Sequence, residues 1–346
     1  MARRPDRNEQ LASLLQGEQT DAVRDLEDRI AGRALGDLDS RFAALSQRSI
    51  TAWVTAFGGV RAEAHDPGVL RRILAAVRAA IRRLLGPLGF RAQGALEDAL
   101  VDAVLLGARQ HAAFVEEAGG RRTRPVNTRP SRSLRRRAAA IADAVNERRD
   151  RALAMLRPNR ARRWSDVQTG IATAHGAVPA VRSHITTVVT EAVTEAAQAA
   201  IDHQGEKKVW VAERDACVNC AAYAGLTAAP DAAFPAGLSW DPGQRGRDNR
   251  LLQGPPKHPN CRCRIVAWDD AWAQDGVPSF PDSLRREARR SIARGWSLPT
   301  ESGAARIRAA RELLRTGAGL PKTVEEFAAQ AVRSGHFTDR TFPASP

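Results

Sequence analysis

Along the first 118 residues apolar side chains recur at three- and four-residue spacing, the period of one helix face. Leu11, Leu14, Val23, Leu26, Ile30, Leu38, Phe42 and Leu45 form the first run, and Gly17, Gly32 and Gly36 within it argue against a single rod. A second run opens at Asp66-Pro67, where Asp suits the N-cap and Pro the first helical position, and continues through Val69, Leu70, Ile73, Leu74, Val77, Ile81 and Leu84 to Gly86-Pro87. Its opposite face carries Arg71, Arg72, Arg78, Arg82 and Arg83. A third run, Leu96, Leu100, Val104, Ala108 and Ala112, ends before Gly119-Gly120.

Residues 119–133 hold Gly, Pro, Asn, Thr and Ser among arginines, a composition that predicts an irregular linker. Beyond it Leu134, Ala138, Ile141, Val145, Ala152 and Met155 fit one helix, and Val181, Ile185, Val188, Ala192, Ala196 and Ala199 fit a long one ending near Gly205. The pattern then changes. Lys207–Ala212 and Arg262–Trp268 have the β-branched and aromatic content of short strands. The roughly fifty residues between them are too many for an unsupported loop. Helical spacing returns at Leu284, Ala288 and Ile292, again at Ile307, Leu313 and Leu314, and last from Val324 to Val332 before a Pro-rich end.

The fold expected is therefore mainly α with a small α+β module: long helices, a metal-stapled, loop-rich insertion with short β-strands, and a helical C-terminal tail. The corresponding divisions are an N-terminal helical region (1–118), the basic linker (119–133), a region of helices and a Cys/His module (134–274, the module at 207–268), and a C-terminal helical extension (275–346).

Charge sharpens this picture. The chain has a formal net charge of +14, and residues 119–163 alone hold 15 basic against 3 acidic residues, a local +12. Arg121, Arg122, Arg124, Arg129, Arg132, Arg135, Arg136 and Arg137 are the candidate contacts to a nucleic-acid backbone. The competing reading is a solvated basic face, because only Lys207, Lys208, Lys257 and Lys322 are lysines, a skew that GC-rich coding produces. No stretch approaches about 18 uninterrupted apolar residues, and the start leads into polar Asn8-Glu9-Gln10, so neither a membrane span nor a secretory signal is expected.

The most specific signal is the cysteine pattern. All four cysteines fall in the module, as Cys217-Val218-Asn219-Cys220 and His258-Pro259-Asn260-Cys261-Arg262-Cys263. A Cys-x2-Cys turn aims two sulfurs at one tetrahedral metal, and a second knuckle from far along the chain completes the shell. The second knuckle offers three donors for two places. In extended chain Cys261 and Cys263 share a face, whereas a turn at Pro259-Asn260 brings His258 beside Cys261. A structural Zn2+ is the expected occupant, worth about 10–16 kcal/mol in zinc-finger peptides. Disulfides and free thiols are the alternatives. A catalytic metal is disfavoured: there is no His-Glu-x-x-His, nor a His-x-Glu paired with Pro-Cys-x-x-Cys, and Asp215 suits a turn better than a base.

Trp210-x4-Asp215-x-Cys217-x2-Cys220, Gly225, Phe234 and Pro255-Pro256-Lys257-His258-Pro259-Asn260-Cys261-Arg262-Cys263 resemble the Mu F-like head morphogenesis domain of tailed-phage minor capsid proteins. The preceding helix, with Thr190-Glu191 and Thr194-Glu195, is similar to the one before that motif in the family. The similarity spans 150–270. It implies a minor capsid protein inside the phage head near the portal, made in the host cytoplasm, that supports procapsid assembly and DNA packaging or ejection. Its partners would be the portal protein, with the major capsid or scaffold protein as further candidates, and double-stranded DNA bound without sequence preference. Some relatives carry an added enzyme, but the residues after the module are too few for a transferase, and Ser13, Ser40, Ser46 and Ser49 lack an orienting partner, so no enzymatic activity is expected. The rival functions are a zinc-supported nuclease, with His258 and Asn260 in the chemistry, and a zinc-finger DNA-binding protein.

Overall fold

A computed structural model describes residues 6–274, 276–317 and 319–341. The first residues, Met1–Pro5, and the Pro-rich end, 342–346, lie outside the described residues. Helices α1 (Arg7–Gln16), α2 (Glu18–Leu35), α3 (Leu38–Phe57), α4 (Pro67–Leu85) and α5 (Leu88–Gly119) come first, followed by α6 (Arg132–Ala139), α7 (Ile141–Met155), α8 (Trp164–His175) and α9 (Ala177–Gln204). Strands β1 (Lys207–Val211), β2 (Thr227–Ala228) and β3 (Arg264–Trp268) enclose the four-residue α10 (Val218–Ala221). Then come α11 (Phe280–Arg294), α12 (Gly303–Arg315) and α13 (Lys322–Ser334). The molecule is thus mainly helical, with a small antiparallel sheet, a Cys-rich region and a helical C-terminal tail.

The chain forms two compact units, each assembled from non-consecutive segments. One comprises Met1–Asp25, Val101–Pro130 and Val189–Pro346; the other comprises Leu26–Leu100 and Ser131–Val188.

The second unit is helical. Around Trp53, which is wholly buried, the rings of Phe57 and Trp164 sit at centroid distances of 4.7 and 6.3 Å. Asp66 caps α4 as its sequence predicts, its carboxylate accepting from the N–H groups of Gly68 (2.7 Å) and Val69 (3.0 Å). Leu70, Leu74, Val77, Ile81 and Leu84 are buried along one stripe of α4. Two expectations change. The helix expected over 134–155 is two helices, broken at Ala140, and the first run breaks at Gly17 and Gly36 but continues through Gly32, whose missing side chain opens onto free space.

The first unit holds the sheet, in the order β2-β1-β3, with Val209 opposite Val266 and Trp210 opposite Ile265. Alternate residues of a strand face opposite sides. Val209, Val211, Val266 and Trp268 therefore join Leu11, Leu15, Phe114, Phe280 and Leu284 in one apolar cluster. Trp210, Ile265 and Ala267 join a second one, with Tyr223, Phe234 and residues of α12 and α13, and this cluster includes Cys220, Cys261 and Cys263. The strand expected over 262–268 begins only at Arg264, because Cys263 belongs to the knuckle before it.

Candidate metal centre

The first knuckle is built by the start of α10. Cys217 is its N-cap, in extended conformation, and its sulfur accepts the N–H of Cys220 at 3.4 Å. The second knuckle is a turn in which the His258 carbonyl accepts the N–H of Cys261 at 3.1 Å, with Asn260 in the left-handed region at φ 63°. Asn tolerates that region better than most residues. This turn brings His258 alongside the sulfurs: its Nε2 lies 3.1 Å from the sulfurs of both Cys217 and Cys220. The Cys220 and Cys261 sulfurs are 3.7 Å apart.

Two overlapping trios result, Cys217–Cys220–His258 and Cys220–Cys261–Cys263, with the donor atoms of each within 4.8 Å of one another. Cys220 is common to both. The five candidate ligands thus converge, all four cysteines are free thiols rather than disulfides, and the cluster can hold a metal ion. Zn–S bonds of about 2.3 Å in a tetrahedron place sulfurs about 3.7–3.8 Å apart, the separation seen between Cys220 and Cys261. The imidazole–sulfur separations are shorter than the corresponding edge, about 3.5 Å, because these groups hydrogen-bond directly.

The protonation pattern fits the same chemistry. His258 Nδ1 lies 2.8 Å from the Pro259 carbonyl, which can only accept, so Nδ1 carries a proton and Nε2 is the atom offered to a metal. Burial favours the neutral ring, yet the Cys217 and Cys261 thiolates overcome it and raise His258 to about 10. The Cys217 thiol is held well below its ordinary range by the hydrogen bond from Cys220 and by His258. Cys261 is lowered likewise by Cys220 and Cys263. Cys220 and Cys263 are raised well above the ordinary thiol range, so these two keep their protons, and metal binding to such sites releases protons.

Glu301 and Arg306, which the sequence did not single out, brace the first knuckle. The Glu301 carboxylate accepts the Val218 N–H at 2.7 Å, and Arg306 joins Glu301 at 2.7 Å while donating to the Ala216 carbonyl at 2.7 Å. Arg306 and Glu301 are almost fully buried. Lys208, buried in β1, donates to the Gln253 carbonyl at 2.9 Å and lies over the Phe234 ring, tying the long insertion to the sheet. Lys257 pairs with Asp248 at 3.1 Å. Cys217 and His258 also form part of the wall of an open cleft of about 740 Å³ that Arg247, Lys257, Glu301 and Arg308 help to line.

The eight candidate backbone-contacting arginines are all exposed. Arg121, Arg122, Arg124 and Arg129 lie on the irregular segment before α6 and belong to the first unit; Arg132, Arg135, Arg136 and Arg137 lie on α6 in the second. Arg121 pairs with Glu206 and Arg122 with Glu116, each at 3.1 Å. No helix among the described residues is long and apolar enough to cross a membrane. Compared with known protein families, with curated proteins and with solved structures, the chain matches none.

Proposed function

We propose that this chain is a minor capsid protein of a tailed phage, of the Mu F-like head morphogenesis type, and that its Cys/His cluster holds a structural Zn2+. Cys217, Cys220 and Cys261 are the first three ligands. His258 is the fourth, since its Nε2 faces Cys217 and Cys220 and its Nδ1 is committed to Pro259. Bound there, the metal would fasten the two knuckles of the long insertion to one another. The observation that carries this reading is that the five Cys and His residues of the resembling motif come together as two trios sharing Cys220, with Cys220, Cys261 and Cys263 packed in the apolar cluster on the sheet.

The protein works inside the capsid near the portal, with the portal protein as its main partner and the major capsid or scaffold protein as further ones. It meets double-stranded DNA through Arg121–Arg137 without reading sequence, and it is not an enzyme. Quantitative mass spectrometry of purified particles, normalised to portal and major capsid protein, tests the assignment. A few copies per particle are expected, and absence from particles contradicts it.

A further inference from the structure

The second unit carries far more charge than the first. It holds 23 arginines against 12 carboxylates, a net +11 of the chain's +14. Part of this excess comes from α4, which lies outside the basic stretch of residues 119–163 and has five arginines and no acidic residue. With the apolar stripe of α4 buried, Arg71, Arg72, Arg82 and Arg83 are exposed, and among the described residues none of the four side chains has a hydrogen-bond or ion-pair partner. The exposed positions between them include Ala75 and Ala76.

Eleven residues separate Arg71 from Arg82 and Arg72 from Arg83, close to three full turns, so the two pairs are in phase and about 16.5 Å apart along the axis. Helix stability does not account for the arrangement. Arg82 and Arg83 gain from the negative end of the helix dipole and Arg72 from the Asp66 carboxylate at the cap, but Arg71 lies in the half where the dipole favours no cation. Two cationic pairs flanking the alanines, with the half-buried Arg78 at the edge of the stripe between them, match an elongated polyanion with two ridges of negative charge. The phosphate ridges bounding a major groove about 12 Å wide have that form, and long arginine side chains reach across the difference.

We propose that α4 is a second DNA-binding surface, lying across the major groove of double-stranded DNA with one arginine pair on each phosphate ridge and the alanines over the groove. The proposal rests on the DNA contact assigned above but places it on different residues. No base is read, because alanine offers no hydrogen bond to base edges.

The test measures the salt dependence of full-length protein binding to a random-sequence duplex. Four variant sites on an exposed face leave the helix intact, which circular dichroism checks. The R71Q/R72Q/R82Q/R83Q variant is expected to lose about 3–4 from the magnitude of the log–log slope, since each phosphate contact contributes about 0.9. R135Q/R136Q/R137Q, measured in parallel, reads the α6 segment separately. A slope unchanged by the α4 substitutions, with the α6 variant weakened, overturns this proposal alone; flat salt dependence in the unaltered protein overturns both DNA assignments. Unchanged DNA binding with loss of a co-purifying acidic protein also overturns it, assigning the surface to a protein partner instead.

Discussion

Glu213, just ahead of the first knuckle, is buried, with Arg24 3.4 Å away and Arg264 also buried nearby. Arg264 is committed elsewhere, donating to Thr20 at 2.6 Å and Gln110 at 3.2 Å. Burial is the larger influence on Glu213, and the Asp215 charge adds to it, so its carboxyl is raised to about 8 in spite of Arg24, Arg262 and Arg264. An unfolded glutamic acid releases its proton near 4.5. Between those values the folded chain holds a proton that the unfolded chain has lost. This contribution to stability is complete below pH of about 4.5 and fades as pH rises through about 8. Glu213→Gln keeps an acceptor for Arg24 and removes the titration. Urea midpoints measured across this range should fall for the natural chain relative to the variant, whereas parallel curves would contradict a protonated Glu213.

At the scale of elements, the Cys/His cluster depends on a helix far from it in sequence. α12 and the turn before it deliver Arg306 and Glu301 to the first knuckle, one fixing the Ala216 carbonyl and the other the Val218 N–H. Removing one partner of a buried ion pair strands the other, at about 3–5 kcal/mol. Arg306→Ala should therefore lower the thermal midpoint and speed zinc transfer to a chelator, while Arg311→Ala, on an exposed position of the same helix, should do neither. Equal behaviour of the two variants would remove α12 from the account.

The helices and the cysteine knuckles were legible because amphipathic period and ligand spacing are local properties. The cap at Asp66 and the strands at β1 and β3 were legible for the same reason. Three features were not. The entry of His258 depends on the left-handed Asn260 turn, which the sequence left open against an extended chain. The break between α6 and α7 falls at Ala140, with no glycine or proline to mark it. Arg306 and Lys208 are charges in sequence, and charges are usually solvated, so only the fold reveals that both are buried and paired.

For the whole molecule, chemistry and charge separate. The first unit contains the Cys/His cluster, the sheet and both apolar clusters around it, and the second contains most of the net positive charge. The division explains why composition alone pointed to a polyanion and the cysteines alone to a metal, with neither implying the other. A metal that staples only the first unit should leave the helices of the second intact when it is removed. Native mass spectrometry of the full chain, with hydrogen exchange before and after chelation, tests this claim most directly. One zinc per chain is expected, lost on chelation, with exchange rising across residues 213–263 and unchanged in α4 and α8. A metal-free mass with residues 213–263 still protected would contradict it.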